Sequence, residues 1–84
     1  MRRRTRTVPD SGQLAGAGVG STVRVTGVGI SGVDRLRLAE FGLRPGALVT
    51  VLARTAGGGH LVGLGTSRIV LDHRTAGSLE VQAA

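Results

Sequence analysis

Valine, leucine and isoleucine recur at every second position in short stretches, and glycine or proline interrupts each stretch before it grows long. A period of two is the signature of a half-buried strand. Thr22 to Val28 (TVRVTGV) places Val23 and Val25 on one side and Arg24 and Thr26 on the other. Ala47 to Arg54 (ALVTVLAR) places Val49, Val51 and Ala53 on one face, with Leu48 and Leu52 opposite, which predicts a strand buried on both sides. HLVGLG and RIVLD read as two short strands joined at Gly65-Thr66-Ser67, TAGGG as a hairpin loop, and LEV from Leu79 as a closing strand.

The period changes in SGVDRLRLAEFG. Ser31 is placed as an N-cap, and Asp34 three residues on makes a weak capping box. Val33, Leu36 and Glu40 fall on one line of the helix and Leu36, Ala39 and Leu43 on the next, and Gly42 sits where a left-handed C-terminal residue is wanted. Pro45 and Gly46 occupy the centre of a type II turn, which needs positive φ at its second central residue. DHRTAG reads as one helical turn capped by Asp72. A sheet this small cannot be covered on both faces, and curling it buries the aliphatic side chains while protecting its edges. The expected fold is therefore mainly β: a small SH3-like β-barrel of about five strands with one short α-helix between the first strands. Residues 1–13 are expected to form a flexible basic N-terminal segment and residues 14–84 the domain.

Composition removes several chemistries. Among the 84 residues there is no Cys, Trp or Tyr, Phe41 is the only aromatic, and all 11 basic residues are Arg. Lack of Cys excludes disulfides, thiol nucleophiles and zinc–thiolate sites. Lack of Lys excludes a Walker A loop and Schiff-base catalysis. One aromatic makes no stacking platform for bases. Gly27 to Gly32 fits GxGxxG, but no acid follows about 20 residues on, as a dinucleotide site requires. Ser31 lacks the surroundings of a nucleophile elbow, and no catalytic constellation is found.

The formal charge of +6 is uneven. Arg2, Arg3, Arg4 and Arg6 crowd the start, whereas from residue 7 onward seven Arg face five acids. A basic tail could touch phosphates, so a small nucleic-acid-binding barrel is the alternative function. The nearly balanced body makes nucleic acid the less favoured partner. The arginines are followed by TVPDSGQL rather than an apolar core, so no signal peptide is read, and no apolar run approaches the ~20 residues of a span. A soluble, cytoplasmic protein without direct membrane insertion is expected. His60 and His73, with Asp72, are the only set resembling metal ligands. His60 after a triple glycine reads more simply as an exposed hairpin residue, because closed sites usually need three or four protein ligands.

From Leu14 to Val81 the chain resembles the FeoA family, small accessory proteins of bacterial ferrous-iron transport. RLRLAEFGLRPGALVTVLAR looks like that family's helix, its G-L-x-P-G turn and a valine-rich strand, and SRIVLDHRTAGSLEV looks like its closing stretch. Gly42, Leu43, Pro45, Gly46, Leu71 and Ala76 carry the likeness. AGGGHLVGLG departs from it, because the family often has prolines in that hairpin, and the arginine-rich start has no counterpart.

The resemblance implies an SH3-like fold, a non-enzymatic role, and a membrane ferrous-iron transporter with a GTPase domain as partner, met at the inner face of the membrane. It implies no cofactor, transition-metal binding being a family property only, and a weak homo-oligomer is compatible with it. The helix and following turn are the expected docking face, with Arg35, Arg37 and Arg44 offering cations and Leu38 or Phe41 an apolar contact. Phe41 is expected in the core, since a lone aromatic in a minimal core is usually buried.

Overall fold

The structure, a computed structural model, describes residues 11–84. The four tail arginines, Arg2, Arg3, Arg4 and Arg6, lie outside the described residues.

Six strands form one antiparallel sheet: β1 (Ser11–Gln13), β2 (Thr22–Val28), β3 (Leu48–Arg54), β4 (His60–Leu64), β5 (Ser67–Leu71) and β6 (Leu79–Ala83). Their spatial order is β1-β6-β2-β3-β4-β5. Five strands fall on the five expected stretches. The sixth, β1, lies in the segment expected to be a lead-in and pairs Gly12 with Val81 and Gln13 with Glu80. Helix α1 (Gly32–Glu40) follows β2, and α2 (His73–Gly77) separates β5 from β6. The fold is thus the mainly β, SH3-like one that was expected, although its ladder stays open between β1 and β5.

The core is made by the inward positions of the alternating strands. Val23, Val25, Val49, Val51, Val62, Leu79 and Val81 are buried, together with Leu14, Leu43 and Ala76 from the connections. A sheet that buries one face with so little else to cover it must coil, and two bulges help. Register shifts between Val25 and Gly27 against β6, and between Val51 and Ala53 against β4. An extra residue on one strand of a pair bends it and increases its twist.

The outer face corrects one expectation. Leu48 and Leu52 of β3 are exposed rather than buried, because no layer lies over that side of the sheet. Gly63 on the neighbouring strand lies close to Leu52, where a Cβ would stand 3.3 Å from Cδ1 of the leucine.

The chain leaves α1 by a Schellman turn. Leu43 N–H donates to Leu38 O at 2.9 Å and Gly42 N–H to Ala39 O at 2.9 Å, with Gly42 at φ +98°. This left-handed position is the one glycine tolerates without cost. The expected type II turn follows directly. Ala47 N–H donates to Arg44 O at 3.0 Å and Gly46 takes φ +96°.

Candidate interaction surface

Helix α1 meets the core with its C-terminal turn alone. Leu38 is buried, and Leu43 beyond the Schellman turn is buried beside it. The line of Val33 and Leu36 points away from the core, and both residues are about two-thirds exposed, at 68% and 67%. The reason is the turn: by pinning Leu43 N–H to Leu38 O it selects which side of the helix faces the sheet. Positions 33 and 36 then lie far around the helix from 38. Ser31 precedes the first turn in extended backbone but makes no side-chain cap bond, so the expected capping box does not form.

Phe41 is likewise corrected. Rather than joining the core it is 53% exposed, at the C-cap of α1. The core is filled by aliphatic side chains, and Phe41 instead borders a hollow that it shares with the end of β5. Ile30, Asp34, Arg37, Leu38, Phe41 and Val70 surround this open hollow of about 360 Å³. Val70, on the outer strand, is exposed as well. Arg37 lines the hollow and has no hydrogen bond or ion pair among the described residues.

The expected docking residues therefore separate. Arg37 and Leu38 come together at the hollow, where Leu38 forms its buried floor. Arg35 is exposed on α1 but does not line it, since two positions along a helix are about 200° apart. Arg44 is exposed in the type II turn, away from it. Val70 was missed. The alternation in RIVLD marks the strand, but nothing in the stretch says that the strand is outermost.

The histidines overturn another expectation. His60 is fully buried, at 0% exposure, at the start of β4. Its Nε2 lies 3.3 Å from Nδ1 of the exposed His73, and its own Nδ1 is buried with no partner among the described residues. The ring centroids are 5.6 Å apart with planes inclined by 20°. That separation equals the N···N distance plus the two ring radii, so the rings meet edge to edge with their nitrogens in line. Such an arrangement holds a proton as N–H···N. A metal needs about 2.0–2.1 Å to each imidazole nitrogen, and an ion between two nitrogens facing each other in line has no room at 3.3 Å. The pair does not fit a metal, and no cluster of three or more ligating side chains occurs among the described residues.

Burial holds the His60 imidazole below its ordinary pKa, with Arg54 and then His73 adding to the effect. Asp72 is the helix cap that was expected. Its Oδ1 accepts from Thr75 N–H at 2.7 Å, and this bond holds its carboxyl below the usual range.

Comparison with known proteins agrees with this architecture. A search among curated proteins finds no match. The crystal structure of an iron uptake regulatory protein, FeoA, superposes with a TM-score of 0.77 at 26% identity, over 88% of this chain and 97% of that one. The solution structure of FeoA from Chlorobium tepidum gives 0.79 at 25% identity, over 84% and 69%. A manganese-dependent transcriptional repressor shares the fold at 24% identity with a TM-score of 0.77, and this chain spans 43% of its length. The family model of the FeoA domain matches residues 13–83, and with that match the chain belongs to the FeoA family.

Proposed function

We propose that this protein is a non-enzymatic accessory module of ferrous-iron uptake that docks on the cytosolic, GTPase-containing part of the membrane iron transporter. FeoA membership supports the association with ferrous-iron transport. The observation that carries the docking reading is the hollow between α1 and β5, lined by the exposed Phe41 and Val70 and by Arg37, which has no partner among the described residues. A lone aromatic half-exposed beside an arginine is the composition of an interface anchor, since aromatic residues and Arg dominate binding hot spots. Among the described residues no helix is long and apolar enough to cross a membrane, so contact with the inner membrane face would come through the transporter.

The test is a titration of the chain, with and without residues 1–7, into the intact transporter in nanodiscs at physiological salt. Binding by both forms, weakened about tenfold or more by Phe41→Ala, supports the reading, in line with the cost of losing an aromatic anchor. Binding that vanishes without the arginine-rich start and falls steeply with salt would instead assign the contact to phosphates.

A further inference from the structure

We propose that the outer edge of β5 accepts a strand: an extended segment of the partner, with a carboxylate beside an apolar residue, pairs along β5 and fills the hollow against α1. The inference deepens the docking reading above and rests on it.

The hairpin sets the direction of the backbone groups. Leu64 faces Ser67 across the two-residue loop Gly65-Thr66, and Gly65 has φ +59° while no non-glycine residue has positive φ. That is the type II′ pattern, whose flanking residues form a hydrogen-bonded pair. Antiparallel ladders alternate, so Ser67, Ile69 and Leu71 turn N–H and C=O toward β4, while Arg68 and Val70 turn theirs away. On that side no strand lies among the described residues.

An open edge of this kind is a template for another strand unless proline, a bulge or a covering element blunts it. β5 has no proline and its register with β4 runs unbroken from Ser67 to Leu71. Instead of a cover there is the hollow, with Val70 on one wall and Phe41 on the other. Main-chain pairing would supply affinity, and the side chains that alternate into the hollow would supply selectivity.

The chemistry of the occupant follows from the walls. Phe41, Val70 and the floor at Leu38 call for an apolar side chain. Within the hollow Arg37 stands with Asp34, and the Asp72 carboxylate is occupied by Thr75 N–H, so the walls carry no excess of positive charge. Arg68, exposed two residues before Val70 on the same strand, has no ion pair or hydrogen bond among the described residues. Residues directly opposite on paired strands interact, so an added strand would set a carboxylate opposite Arg68 and an apolar residue opposite Val70.

Amide exchange of the full chain, free and bound to the intact transporter in nanodiscs, tests this. The amides of Arg68 and Val70 should exchange freely in the unbound protein and slow about tenfold or more in the complex, as new ladder bonds protect them. Val70→Pro removes an outward N–H and should weaken binding by a similar factor, and Arg68→Glu should weaken it too. A complex that leaves both amides unprotected overturns the strand-acceptor site while docking stands. Absence of any complex overturns both. Protection that rises with the protein's own concentration, without transporter, would name a second copy as the occupant and overturn the assignment.

Discussion

Nε2 of the buried His60 and Nδ1 of the exposed His73 stand 3.3 Å apart with their rings in line, and this hydrogen bond ties the first residue of β4 to the first residue of α2. His60 Nδ1 has no partner among the described residues. A bare acceptor in an apolar setting costs less than an unpaired N–H donor beside Arg54, so the tautomer with the proton on His60 Nε2 is favoured.

Stability should therefore depend on pH. His60 has a folded pKa below its ordinary 6.5, so below 6.5 the unfolded chain takes up a proton that the folded chain refuses. The contribution is fully present above 6.5 and is lost as pH falls through the folded pKa. Urea midpoints should be level between pH 8 and 7 and decline toward pH 5. Replacing His60 by Leu should flatten the decline, and a wild-type midpoint that stays level to pH 5 would contradict the assignment.

Asp72 should add a second, more acidic step. Its carboxyl is depressed by the Thr75 N–H bond, so its contribution is present above the ordinary value of 3.8 and lost as pH falls through the lower folded pKa. Asp72→Ala should loosen α2 and release His73, seen as faster exchange of the Thr75 amide. Asp72→Ser should restore much of the protection, since Ser is also a good N-cap.

Glycine substitutions should sort by backbone conformation. Gly46→Ala and Gly42→Ala have open space for a Cβ but sit at φ +96° and +98°, and each should cost about 1–2 kcal/mol. Gly16→Ala also has open space and lies outside that region, so it should be neutral or stabilising by up to ~1 kcal/mol. Chemical denaturation of the three variants checks the order. A costly Gly16→Ala beside a silent Gly46→Ala would contradict it.

Core and surface apolar residues should differ in the same experiment. Leu79 is fully buried, and Leu79→Ala should lose about 2–5 kcal/mol, a large part of what a domain of this size possesses. Phe41→Ala should change stability by no more than ~0.5 kcal/mol, as exposed substitutions usually do. Loss of transporter binding by Phe41→Ala with an unchanged melting temperature would separate interface from core.

Local structure was legible in the chain wherever a backbone demand names its residue. The alternation of Val23 and Val25, Gly42 and Gly46 at positive φ, Pro45 in the turn and Asp72 at its cap each express a constraint met within a few residues. They determined five strands, both helices and the turn between α1 and β3. What tertiary structure decided were questions of which side and which neighbour. A helix with apolar residues on several sides gave no indication that Leu38 would face in and Val33, Leu36 and Phe41 out, because the hydrogen bond from Leu43 to Leu38 O selects the face. The two-sided β3 looked buried twice, but a single coiled sheet has one interior. Strand order put Val70 on an open edge, and the closeness of two histidines 13 residues apart came only from folding. Short-range demands are written residue by residue, whereas burial depends on what the rest of the chain brings to the other side.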